Sequence, residues 1–250
     1  SDELFDILEK SERVSELSGG AFDVTVGPVV RQWRRTRRNG VLPSPEALAQ
    51  AREAVGWRKL RLDARNKTVT LTAPNMQLDL GGIAKGYAAD KALNVLKEHG
   101  ITRALVAASG DIAVGDPPPG QSGWRVAVGA PESDPAPAQA NPPRNGPENR
   151  ASLTRILFLH NAAVSTSGDA EQFVEIGGQR YSHIVDPRTG VGLTERMQVS
   201  IISRRATDTD AFATAVSVLG RERGMALVES RPDLAAMLIR KQGDEVEGIC

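Results

Sequence analysis

Cysteine is almost missing from this 250-residue chain: the single one, Cys250, stands at the last position, so no disulfide can form within it. That excludes a disulfide-stapled scaffold without excluding an oxidising compartment. Long apolar runs are missing too, so no segment reads as a bilayer-spanning helix. Net charge is absent, with 31 Lys+Arg against 31 Asp+Glu, and no global field draws the chain to nucleic acid or to an anionic membrane. There is no secretory signal pattern and no internal repeat. The chain starts on Ser1, inside what reads as a helix already under way, so we expect an N-terminus trimmed from a longer protein. What is present is ordinary globular composition, 40% hydrophobic and 25% charged, sufficient for one large domain or two small ones.

The stretch from Met76 to Asp90, MQLDLGGIAKGYAAD, is the most informative. An apolar strand-like run carrying Asp79 breaks on Gly81-Gly82. A helical pattern follows through Ile83, Ala84, Tyr87, Ala88, Lys91, Ala92, Val95 and Leu96 to a stop at Gly100. Strand, glycine turn and helix start aim unpaired N–H groups and the positive dipole end at one point, which suits phosphate, and Lys85 adds a cation there. The same glycines also suit a tight turn that only permits close packing. The familiar nucleotide motifs do not fit: Lys85 is followed by Gly86 rather than Ser or Thr, and GxGxxG is absent.

The periodicity predicts a helix from Ser1 or Asp2 to about Leu17 with Leu4, Phe5, Leu8 and Val14 inward, and a short strand from Phe22 to Val26. A second helix follows over 45 to 55, then a hairpin of 60 to 62 with 68 to 72 around Arg65-Asn66. Strands are expected at 104–107, 112–114, 124–128, 156–159, 172–176 and 235–239, and helices at 207–219 and 222–230. Residues 131 to 150 hold six prolines and almost nothing apolar, a solvated insertion. Few regular βαβ units are present, so the fold class is a mixed α/β (α+β) domain rather than a doubly wound sheet.

Four further segments bear on chemistry. In ATDTDAFATAVSVLG, Thr207 or Asp208 can cap a helix on which Asp210 and Thr214 stand at i and i+4, beside an apolar stripe of Ala211, Ala215 and Val218. A carboxylate and a hydroxyl turned inward there suit Mg²⁺, which takes few protein oxygens plus phosphate and water. The plainer reading is a capped helix whose acid favours the dipole. SHIVDPRTG groups His183, Asp186 and Arg188 around a turn, with His183 either a hydrogen-bonded structural residue or a base that Asp186 orients. STSGD offers Ser165 and Thr166 for phosphate or ribose, or simply turns the chain. RQWRRTRR sets five arginines around Trp33, a solvated basic face on a chain of zero net charge.

Taken in order, FDVTVGPVVRQW, LDLGGIAKGYAADKAL, ASGDI, VSTSGD, YSHIVDPRTG and TDTDAFATAVSVLG resemble the blocks of the ApbE family of FAD:protein FMN transferases, over roughly residues 20 to 220. The resemblance implies one large domain with mixed sheets flanked by helices and an FAD site between its sub-regions. It implies a periplasmic or membrane-anchored bacterial enzyme that uses Mg²⁺ to cleave FAD, moves FMN onto a Thr or Ser hydroxyl of a target protein of the electron-transfer flavoprotein subunit class and releases AMP. Some members mainly hydrolyse FAD instead, and a non-catalytic FAD carrier is the reading from another class. By the same resemblance Asp210, Thr214 and the carbonyl of Gly82 match metal positions, and Asp79, Lys85 and Ile184 match FAD contacts. Trp33 is a candidate contact for the adenine or flavin ring. The family pattern departs here after Trp33, where Arg34, Arg35, Thr36, Arg37 and Arg38 follow.

Overall fold

The computed structural model describes residues 1–129, 154–168, 172–242 and 245–249. The proline-rich stretch and Asp169 of STSGD lie outside them. Helix α1 (Asp2–Leu17) starts on Ser1, whose hydroxyl accepts from Leu4 N, and packs through Phe5, Ile7, Leu8 and Val14. Leu4, expected inside, is instead exposed, and Ile7 takes its place. Helix α2 (Gly27–Asn39) is followed by α3 (Pro45–Glu53), a hairpin of β1 (Leu60–Asp63) with β2 (Thr68–Leu71), and α4 (Ala84–Glu98). The two stretches read as strands around Val24 and Leu78 are not strands. They lie side by side as loops, joined by a bridge between Val26 and Gln77 and a hydrogen bond from Asp79 N to Val24 O. The arginine-rich run, given no element from sequence, lies in α2.

Among the described residues the chain continues through β3 (Leu105–Ala108), β4 (Asp111–Val114), β5 (Trp124–Val128), β6 (Arg155–Leu159), β7 (Ala162–Ser167), β8 (Phe173–Ile176) and β9 (Gln179–Ser182). Then come β10 (Arg196–Ser203), α5 (Ala206–Glu229), β11 (Ala235–Gln242) and β12 (Glu245–Ile249). A six-stranded sheet runs β12-β11-β10-β7-β4-β3, and β5-β6 and β8-β9 are separate hairpins. All these ladders are antiparallel. The mixed α+β class holds, with the mixing between helices and strands rather than between strand directions. The break between the two helices expected over 207–230 is the kink at Gly220, where φ is 74°.

Successive strand residues point to opposite faces, and the sheet uses both. On one face Val199, Ile201 and Leu238 bury against Phe212, Ala215 and Val216 of α5, with Leu8 and Ile83. On the other, Val114, Val164, Met237 and Ile239 pack under Val126, Val128 and Leu159 of the β5-β6 hairpin. Each such aliphatic side chain contributes on the order of 1.5–3 kcal/mol by leaving water.

The contact between α4 and α5 sets the site. A Cβ on Gly86 would stand 2.0 Å from Ala206 O and 2.9 Å from Asp210 Cβ, so only glycine lets the two backbones meet. One turn later Asp90 reaches across and caps α5 from outside. It accepts from Ala206 N at 2.8 Å, Thr207 N at 2.9 Å and Thr207 Oγ1 at 2.6 Å. Asp90 therefore does the capping expected of Thr207 or Asp208, while Asp208 pairs with Arg205.

Candidate active site

A cavity of about 940 Å³ opens between α2, the Gly81-Gly82 turn, the ends of β4 and β7, and the β8-β9 hairpin. Its foot is charged. Asp210, 2% exposed, accepts from Gly86 N at 3.0 Å, and its Oδ1 lies 3.3 Å from Lys85 Nζ. The same ammonium lies 2.9 Å from Asp111 Oδ2, and Asp111 is 3% exposed. One lysine thus stands between two buried carboxylates. Burial raises the Asp210 carboxyl and the like charge of Asp111 adds to it, against Lys85 and the Gly86 N–H, so its pKa is pushed up to about 6. Burial pulls the Lys85 ammonium down, but Asp210 and Asp111 outweigh it and its pKa rises.

Thr214, one turn after Asp210, faces the glycine turn: a Cβ on Gly82 would stand 2.8 Å from Thr214 Oγ1. Gly82, Lys85, Asp210 and Thr214 therefore meet, although about 130 residues separate the two segments. The donor set is all oxygen, from a buried carboxylate, a hydroxyl and the glycine turn, with Asp111 opposite. Among the described residues no group of three or more His, Cys, Asp or Glu gathers for a metal. Such a site fits a hard cation that keeps water and substrate phosphate in its shell.

Asp79 holds the turn rather than standing open. Its Oδ1 accepts from Gly81 N at 2.9 Å and its Oδ2 from Arg34 Nη2 at 2.7 Å. Trp33 forms part of the cavity wall while its Nε1 donates to Gly190 O at 2.8 Å and its ring leans on Tyr181. Ile184 lines the cavity as well. Thr166 also lines it and bonds Ser200 at 2.9 Å between hydroxyls. Ser165, its neighbour on β7, points to the other face of the sheet. It is buried against Thr209 of α5 at 2.6 Å and does not line the cavity.

His183 sits exposed on the rim. Its Nδ1 lies 3.0 Å from Gln172 O, and a carbonyl only accepts, so Nδ1 is the donor in this bond. The expected partner Asp186 is engaged elsewhere: both its oxygens take the Arg188 guanidinium, at 2.9 and 2.8 Å. Gln172 O, not Asp186, orients the histidine. Two wall residues escaped the sequence reading. Asp111 was seen only as part of a loop, and Asp23 brackets the wall loop by accepting from Thr25 N, Thr25 Oγ1 and Trp57 N. Burial raises the Asp23 pKa against these donors. Its signal was the Asp-x-Thr of an Asx turn.

Fold and cavity together define a ligand-binding α+β domain. The ApbE family model matches residues 1–238, and the chain belongs to the ApbE family. An FAD:protein FMN transferase of Treponema pallidum is 35% identical over 94% of this chain and 65% of its own length. One from Vibrio cholerae is 30% identical over 96% of this chain and 68% of its own length. The chain thus spans about two thirds of these curated relatives. The flavinyl transferase ApbE of Pseudomonas stutzeri, in apo form, superposes with a TM-score of 0.82 at 29% identity, covering 100% of this chain and 72% of that one. The flavin transferase ApbE of V. cholerae gives 0.83 at 30% identity, covering 100% and 74%.

Proposed function

We propose that the chain transfers FMN from FAD to a Thr or Ser hydroxyl of a target protein and releases AMP. The observation that carries this is the foot of the cavity, where Lys85 stands between Asp210 and Asp111 at the start of α4. FAD presents a pyrophosphate, and cleaving it calls for charge neutralisation and in-line positioning more than for covalent chemistry. Asp210, Thr214 and the Gly82 turn would hold Mg²⁺, which when bound neutralises phosphate charge. Lys85 and the α4 N-terminus take the remaining phosphate oxygens. Asp79 fixes the Gly81 turn, and Trp33, Thr166 and Ile184 wall the space for the rings and ribose. The acceptor oxygen forms a bond to the FMN phosphorus as the bond to the AMP phosphate oxygen breaks. The hydroxyl proton goes to the His183 imidazole, which Gln172 O holds through Nδ1.

We further propose, from the family resemblance alone, that the enzyme works in the periplasm or anchored to the inner membrane facing it. Among the described residues no helix is long and apolar enough to cross a membrane. The test is incubation with FAD, Mg²⁺ and a threonine-bearing target, followed by denaturation. Flavin that stays on the target supports the transferase. Free FMN and AMP without labelled protein would make the chain a hydrolase, and unchanged FAD would make it a carrier.

A further inference from the structure

Helix α2 carries five arginines, Arg31, Arg34, Arg35, Arg37 and Arg38, all exposed, and no acid. Its inner stripe, Val29, Trp33 and Thr36, needs none of them. Helical spacing sets Arg31, Arg34, Arg35 and Arg38 on the opposite face as i, i+3 and i, i+4 neighbours, where like charges cost helix stability. Among the described residues the one ion pair made by the five is Arg34 with Asp79. Arg34 and Arg37 line the cavity lip, and Arg31, Arg35 and Arg38 continue the charge outward from it. The lip leads directly to the proposed base: Arg37 Nη1 bonds Gln172 Oε1 at 3.1 Å, and Gln172 O holds His183. At the end of α2, Val41 and Leu42 are 62% and 40% exposed. The loop is fixed there by Thr36 Oγ1 donating to Val41 O and Val41 N to Asn39 Oδ1.

We infer that this arginine face is where the target protein docks, and that the target segment flanking its acceptor hydroxyl is acidic. The inference rests on the transferase reading. An acceptor hydroxyl must reach His183, so its flanking chain passes over Arg37 and along α2. FAD phosphate is met at the foot, and Arg31, Arg35 and Arg38 lie outside the cavity that would hold it. The rigidly presented Val41 and Leu42 give a polypeptide an apolar foothold that a phosphodiester backbone would not use.

The probes are fluorescent peptides with one threonine flanked by Asp and Glu, or by their amides Asn and Gln. Binding to the FAD-loaded chain is read by anisotropy, and flavin transfer by peptide-bound flavin after denaturation. We expect the acidic peptide to bind roughly tenfold tighter at low salt, since several exposed pairs each give a modest gain. High salt should remove that advantage. Arg31→Glu/Arg35→Glu/Arg38→Glu should also remove it, raising the peptide KM at unchanged kcat and unchanged FAD affinity. Equal binding of the two peptides, or an unaffected triple variant, overturns the inference. So does a single-stranded oligonucleotide that competes as well as the acidic peptide. Charge-selective binding without flavin transfer keeps the surface and removes the transferase reading. Transfer that ignores flanking charge does the reverse.

Discussion

The foot and the rim of the cavity are built on opposite principles. At the foot, Asp210 and Asp111 are almost fully buried and are placed by backbone: a glycine contact between α4 and α5, a cap from Asp90, and strand β4. At the rim, His183, Arg34 and Arg37 are exposed side chains that bond Gln172 and Asp79. The foot is preorganised for charge and has one solution. The rim tolerates change and suits a variable macromolecular partner. Errors at the foot should therefore cost chemistry and folding together, whereas errors at the rim should cost rate or partner choice alone.

The largest expected effect is at the foot. Asp210→Ala should lower FMN transfer by about 10³-fold, because the metal and phosphate chemistry supplies several kcal/mol and each 1.36 kcal/mol is tenfold. Single-turnover AMP release at ordinary Mg²⁺ measures it, and wild-type turnover would remove Asp210 from the metal site. At the rim, His183→Asn should keep FAD affinity and thermal stability while slowing transfer by roughly 10²-fold. If the variant instead loses stability and FAD together with a normal rate per bound FAD, His183 is a turn residue and no base.

The comparison also explains what was legible from sequence. The foot was readable because its parts are local: LGGIAKG puts turn, helix start and lysine in one run, and Asp210 with Thr214 obeys helical spacing. Asp111 was not, because no spacing shows that the end of β4 falls beside Lys85. Strand β7 was missed because Ser165 and Thr166 are satisfied by Thr209 and Ser200 rather than by apolar neighbours, so the alternation that marks a strand is absent. Ser165 was assigned to the cavity for the same reason: a one-residue difference in strand phase sends it to the other face. Helix α2 was hidden by arginines flanking its narrow apolar stripe. Asp186 looked like a partner for His183 only because Arg188, two residues on, could not be seen to take both its oxygens.

The backbone contact at the foot can be tested without chemistry. Gly86→Ala places a methyl 2.0 Å from Ala206 O, and backbone cannot step aside as a flexible side chain would. We expect a loss of about 3 kcal/mol or failure to fold, at the upper end of overpacking costs. Denaturant midpoints give the number. A variant of wild-type stability would mean that α4 and α5 are not held this closely.

The smallest effect separates foot from rim by pH. The carboxyl of Asp210 sits at about 6 when folded, above its ordinary 3.8, so between these values the folded state holds a proton that the unfolded chain has released. Stability contributed by this group therefore falls as pH rises through that window, and at pH 7 Asp210 is a net cost. In metal-free protein we expect the molecule to be more stable at pH 5 than at pH 7, by on the order of 1–3 kcal/mol from this group. The raised Lys85 pKa adds no slope there, because lysine is protonated in both states throughout. Asp210→Asn, which never ionises, should flatten the difference, while His183→Asn should leave the Asp210 contribution in place. Mg²⁺ added at pH 7 should restore the lost stability of the wild type and not of Asp210→Asn, since only the carboxylate repays the ion. Guanidinium titrations at the two pH values, with chelator and with Mg²⁺, decide it. A wild type and an Asp210→Asn variant with the same pH slope would show that the foot holds no strained carboxylate for a cation to relieve.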